Sequence, residues 1–151
     1  MREGCILCAI VAGSTPAERV YEDDAAVAVM DINPATTGHV IVIPKSHSSD
    51  LWHISTEDAQ SIMAVSVQVA HMIHEALRPY GMNHGMNLVH ATGPAAWQTV
   101  FHFHMHLVPR YEGDGLVPPW PLDHRGVEGP GLREVAKRIR LAGSTGRPET
   151  A

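Results

Sequence analysis

Thr99-Val100-Phe101-His102-Phe103-His104-Met105-His106-Leu107-Val108-Pro109-Arg110 is the stretch that decides how the rest of the chain is read. From Phe101 to Leu107 two residue types alternate without a break. The three histidines fall on one parity, and Phe101, Phe103, Met105 and Leu107 on the other. Successive side chains of a β-strand point to opposite faces, so the pattern predicts a strand with an imidazole face and an apolar face. Imidazoles two residues apart stand roughly 6.6 Å from each other, at about 3.3 Å rise per residue. That spacing suits two adjacent sites or one polyanion and is wide for three ligands on one metal. Pro109 lacks an N–H and predicts the strand's end. An exposed polar face on an edge strand and a histidine-only metal site are the alternatives. Polar faces seldom consist of histidine alone, because histidine titrates near neutrality.

The 151 residues are enough for one domain with its own core, and 44% hydrophobic with 18% charged residues is an ordinary globular balance. A formal charge of −5 argues against a nucleic-acid binder, since no basic excess could neutralise phosphates. No apolar run reaches the ~20 residues of a membrane span. Residues 1–13 do not have signal-peptide architecture. A cytoplasmic protein is expected, with Cys5 and Cys8 as thiols. The Cys5-x-x-Cys8 pair is open to three readings: a redox pair, half of a metal site, or two small core residues. A structural disulfide is disfavoured in a reducing compartment, and a tetrahedral zinc would need two further ligands.

Arg19–Glu22 and Ala25–Met30 read as a hairpin turning at Asp23-Asp24. Asp31 follows as a turn-capping acid. His39 opens the β-branched run Val40–Ile43, which predicts a strand buried on both faces. Ser55 reads as a helix cap followed by acids. Ile62, Val65, Val69, Met72, Ile73, Ala76 and Leu77 then recur at helical spacing until Pro79 and Gly81. Met63, Met72, Met82 and Met86 read as core filler. His71 and His74, one turn apart, read as surface residues. Met86–Ala91 predicts another strand, with a turn at Thr92-Gly93-Pro94. Beyond a Gly- and Pro-rich loop, Leu132–Ala142 predicts a short amphipathic helix. The domain is expected to span 1–142, with 143–151 a disordered tail.

The His-x-His-x-His pattern, with Gln98 four residues upstream and Pro109-Arg110 after it, resembles the signature of the histidine-triad (HIT) nucleotide hydrolases and transferases. Cys5-Ile6-Leu7-Cys8, Val20–Asp24, Met30-Asp31-Ile32 and Gly38–His47 resemble the zinc-containing bacterial members in the same order. Gly113–Gly115 and Trp120 resemble a segment that reaches toward the site or a dimer partner. The resemblance implies an α+β HIT fold: a mainly antiparallel five-stranded sheet, one long helix and a short C-terminal helix. It implies His104 as nucleophile, with His106 binding phosphate and assisting the leaving group. Asp31 would meet the ribose hydroxyls, His39 would lie near the phosphate, and Gln98 and Thr99 would serve as donors. Cys5, Cys8, His47 and His102 would hold a structural zinc, and a homodimer is implied. No acid cluster that could bind Mg²⁺ lies near the triad, so no catalytic metal is predicted.

A neutral imidazole is a competent nucleophile near pH 7, its reference pKa being about 6.5. The expected reaction is attack on the α-phosphorus of a nucleoside 5′-phosphoramidate or ester, with a purine, adenosine, as the expected nucleoside. Diadenosine polyphosphate hydrolysis is the enzymatic alternative. The non-enzymatic alternatives are a regulatory nucleotide binder and a zinc-dependent structural module. The chain departs from the family pattern at two points. Ala91 stands where members carry Asn, and Trp97 where they carry Gly. Trp97 could bend the backbone onto another path, cover the site, or fill the core.

Overall fold

The computed structural model describes residues 2–81, 85–119 and 130–144, in two compact units, Met1–Asp114 and Gly115–Ala151. The first unit is built on a five-stranded sheet whose order along the sheet is β1 (Arg19–Glu22), β2 (Ala26–Met30), β3 (Val40–Pro44), β5 (Met105–Arg110) and β4 (Gly85–Val89). Every neighbouring pair is antiparallel. Helix α1 (Ile6–Val11) lies on one face and helix α2 (Thr56–Leu77) on the other. This is the α+β architecture predicted. Helix α3 (Leu132–Ser144) belongs to the second unit and runs two residues past its predicted end, through Gly143 and Ser144. Met82 and Trp120, both singled out in the sequence, lie outside the described residues.

The two central strands show why the sheet forms. Ala26, Ala28, Val40 and Val42 join Ile62, Val65, Val69 and Ile73 of α2. Their alternate neighbours Val27, Val29, Ile41 and Ile43 join Leu7 of α1. Both faces are therefore dry, as the unbroken β-branched run requires, and each such side chain contributes about 1.5–3 kcal/mol by leaving water. Ser55 caps α2 by accepting from the Asp58 N–H at 3.0 Å. A single 3₁₀ turn, Arg78–Tyr80, and left-handed Gly81 close it. Met63 and Met72 are exposed on α2, contrary to the core role predicted for them, whereas Met86 packs against the core. A helix covering one sheet face buries only one stripe, and these two methionines fall outside it. Gly38 is forced by a close approach: its φ is +85°, and a Cβ there would stand 2.2 Å from Leu77 Cδ1.

The histidine strand differs from its prediction at both ends. Residues 101–104 do not join the ladder. The Phe103 N–H donates to the Ser48 carbonyl at 2.6 Å, and His102 Nε2–H to the Pro44 carbonyl at 3.1 Å. The segment is thus held by the loop after β3. Facing still follows parity: Phe103, Met105 and Leu107 pack into the α2-side core, while His106 stands opposite Ile41 on the α1 side. Phe101 is the exception and is exposed. At the other end Pro109 sits inside β5, paired with Met86. Its carbonyl accepts from Thr36 Oγ1 at 2.6 Å, on the side where β3 has already ended, so the missing N–H has no ladder partner to lose. Strand β4 spans Gly85–Val89 and stops before Ala91, because His90 turns to bond the His104 carbonyl. Helix α1 was not anticipated, although Ile6, Leu7, Ile10 and Val11 have helical spacing and Gly13 follows.

Candidate active site and metal centre

The three histidines divide between two adjacent sites. His102 is fully buried and turns toward the start of α1, where its Nδ1 lies 3.5 Å from both Cys5 Sγ and Cys8 Sγ. His47 Nδ1 closes the group, 3.4 Å from Cys8 Sγ and 3.2 Å from His102 Nδ1. A tetrahedral zinc with bonds of about 2.3 Å to sulfur and 2.05 Å to nitrogen needs donor separations of roughly 3.3–3.8 Å, so the four residues fit that ion. The Pro44 carbonyl accepts from His102 Nε2–H, which leaves the Nδ1 lone pair facing the thiols. Burial pushes His102 down to about 4, keeping it in the neutral form a ligand requires. Cys5 and Cys8 are free thiols. The redox-pair and plain core readings of this motif account for neither imidazole. His71 and His74 join no such group among the described residues.

The second site is a cavity of about 490 Å³ on the α1 face, within the size range of small-molecule sites. Its apolar wall comes from α1 and the central strands, including Ile6, Leu7, Ile10 and Ile41. Asp31, His39, Gln98, Thr99, His104 and His106 also line it, so the structure brings together every substrate and catalytic residue predicted from the sequence.

The proton positions follow from the partners. The His102 carbonyl accepts from His104 Nδ1–H at 2.7 Å, leaving the lone pair of His104 on Nε2. Burial lowers the His104 pKa from its ordinary value, which keeps that lone pair available near neutrality. The Ala35 N–H donates to His39 Nδ1 at 3.1 Å, so His39 carries its proton on Nε2 and gives it to His106 Nδ1 at 2.9 Å. His106 must then carry its own proton on Nε2. Burial, reinforced by His104 and His39, pushes His106 down to about 4. Asp31 Oδ1 accepts from the Asn33 N–H at 2.8 Å, the turn-capping bond expected of it. Its other oxygen, Oδ2, faces His39 Nε2 and His106 Nδ1 at 3.6 and 3.7 Å. His90, not recognised in the sequence, donates from Nδ1 to the His104 carbonyl at 2.9 Å and stacks on Phe103. Its position at a strand end gave no signal.

Gln98 is buried, and its side chain is taken up by the protein. Its amide donates to the Ser49 carbonyl at 2.7 Å and the Val100 carbonyl at 3.1 Å, and its oxygen accepts from the Gly93 N–H at 2.7 Å. It fixes the loop, while Thr99 is exposed in the cavity wall.

Residues 12–113 match the HIT domain. The chain belongs to the HIT domain family. A HIT relative from Bacillus subtilis, Protein hit, is 36% identical over 145 residues, covering 94% of this chain and 97% of its own. A crystal structure of a Zn-bound histidine triad family protein from Mycobacterium smegmatis is 38% identical with a TM-score of 0.69, covering 94% of each chain. Adenylylsulfatase HINT3 of Arabidopsis thaliana is 34% identical over 116 residues, which are 77% of this chain and 57% of that protein. Trp97 can be judged against the HIT pattern. Its φ of +67° lies in the left-handed region that glycine adopts freely, at a cost of about 1–2 kcal/mol for a residue with a Cβ. The side chain is 76% exposed and is not core. No helix of the described residues is long and apolar enough to cross a membrane.

Proposed function

We propose that the chain hydrolyses nucleoside 5′-phosphoramidates or related α-phosphate esters, with adenosine as the nucleoside, through a nucleotidyl-histidine on His104. The observation that carries this reading is the pair of opposed ring tautomers: a lone pair on His104 Nε2 and a proton on His106 Nε2, in one cavity. His104 Nε2 attacks the α-phosphorus and forms a P–N bond. The bond to the leaving amine or oxygen breaks, and the leaving atom takes the Nε2 proton of His106, which has gained a second proton with the anionic substrate and is left neutral. Water then attacks phosphorus, the P–N bond to His104 breaks, and the water's proton returns to His106. Thr99 and His106 offer donors to the phosphoryl oxygens, where positioning and electrostatics carry most of the barrier reduction. Asp31 holds the ribose hydroxyls, and Gln98 acts by holding its loop. The adenylyl chemistry in the name of the Arabidopsis relative supports the adenosine choice.

Cys5, Cys8, His47 and His102 would hold a structural zinc that ties α1 to the catalytic segment. A homodimer is part of the proposal: β4 lies at the sheet edge and exposes Leu88 and Val89, which a second copy can cover. The decisive test is AMP release from adenosine 5′-phosphoramidate and from a diadenosine polyphosphate, assayed side by side. Tight AMP binding with no turnover of either compound would leave a nucleotide-binding protein instead.

His39 supplies a separate prediction. It sets the His106 tautomer, so His39→Ala should lower kcat by about 10²-fold, the scale of a lost proton donor. His39→Asn, which keeps an N–H donor, should recover part of it. Steady-state kinetics decide the matter, and a His39→Ala enzyme within threefold of wild type would remove this residue from the proton path.

A further inference from the structure

We infer that Trp97 forms a stacking wall for a planar aromatic ring on the leaving group, so that the enzyme discriminates in favour of ring-bearing leaving groups over small ones. This rests on the proposed hydrolysis at the α-phosphate. Trp97 is the only non-glycine residue with a positive φ among the described residues. It combines that strain with an indole 76% open to solvent. Glycine at this position would avoid both penalties, and with three-quarters of its surface open Trp97 recovers little of them by packing against the described residues. Strain held at a residue that packs so little points to a group from outside.

The surroundings define that group. Trp97 lines the cavity that holds His104 and His106. It stands on a closed turn: the Trp97 N–H donates to the Pro94 carbonyl at 3.0 Å, and the Gln98 N–H to the Gly93 carbonyl at 3.2 Å. The main chain that carries the indole is therefore held before any ligand arrives. Ala91, also in the cavity lining, contributes only a methyl group.

Sheet order gives the side. Asp31 and His39 flank the catalytic strand β5 from the ends of β2 and β3, while the loop carrying Trp97 follows β4 on the opposite side of β5. With the nucleoside held by Asp31 and the α1 wall, the substituent that leaves phosphorus is the part free to reach the indole. An aromatic face of this size takes any flat ring, whether an aryl amine or a second nucleobase.

The test compares kcat/KM within two substrate pairs: adenosine 5′-phosphoramidate against its N-(2-naphthylethyl) derivative, and ATP cleaved at the α-phosphate against diadenosine tetraphosphate. Wild type should favour the ring-bearing member of at least one pair by about tenfold. Trp97→Gly, which suits the existing backbone, should bring that ratio close to one, and Trp97→Phe should retain most of it. The pair that responds tells an aryl amine from a nucleobase. Turnover of all four compounds with ratios unchanged in Trp97→Gly overturns the inference and leaves the proposed hydrolysis intact. Absence of turnover in wild type overturns both.

Discussion

Replacing His104 with alanine is expected to abolish AMP release, lowering kcat/KM by at least about 10⁴-fold, while AMP still binds within a few-fold of wild type. The nucleophile forms a bond present only after the ground state, so its loss falls on the chemical step and not on binding. A fall of 10⁴ corresponds to about 5.5 kcal/mol of barrier, far more than one hydrogen bond to a phosphoryl oxygen supplies. His106→Ala should cost less, about 10²-fold, because a proton donor can be replaced in part by water. The order of the two variants is therefore the informative quantity. A His104→Ala enzyme as active as His106→Ala would assign the covalent step to another group. Calorimetry with AMP on both variants separates loss of chemistry from loss of the site. The design of the cavity favours this outcome: the bond from His104 Nδ1–H to the His102 carbonyl leaves Nε2 as the only ring nitrogen of His104 able to attack.

Much of this site was legible in the sequence because its signals were periodic or compositional. Alternation placed Phe103, Met105 and Leu107 in the core and His106 opposite Ile41, even though only Met105–Arg110 joined the sheet. Three imidazoles at strand spacing are too spread for one metal, and in the fold His102 joins Cys5, Cys8 and His47 while His104 and His106 line the cavity. Features that depend on which carbonyl or amide lies nearby were not legible. Gln98 carries donors and was read as serving substrate, but Ser49, Val100 and Gly93 take up its side chain. The missing N–H of Pro109 reads as a stop, and only the register shows that the β3 ladder reaches no further along β5 than Leu107 while Pro109 pairs with Met86 of β4. His90 acts through a single long-range bond and has no local pattern. The same limit applies to Trp97, whose left-handed backbone has no sign in a residue type that seldom adopts it.

Zinc removal should have the second large effect, on stability in place of chemistry. Wild type is expected to purify with one zinc per chain, and Cys8→Ser to lose it. Cys8 is buried against His47 and His102, so the variant leaves two neutral imidazoles and a hydroxyl with no ion to share. Structural zinc contributes about 10–16 kcal/mol to small zinc-dependent folds that are otherwise unfolded. Here the sheet and α2 form a core away from the site, so only part of that figure should be lost, about 3–5 kcal/mol. For a chain of this size each kcal/mol moves Tm by about 2–4 °C, which places the fall near 10–15 °C. Chelation of wild type should reproduce it and zinc should restore it. The α1 face would loosen first, because Leu7, Ile10 and Cys5 pack there against β2 and β3 next to the metal ligands. The same residues border the cavity through Ile6, Leu7 and Ile10, so AMP affinity should weaken in Cys8→Ser even where the fold persists. Elemental analysis, thermal melts with and without chelator, and AMP calorimetry together decide this. Metal-free wild type whose Tm is indifferent to added zinc would reduce Cys5 and Cys8 to ordinary small residues of the α1 face.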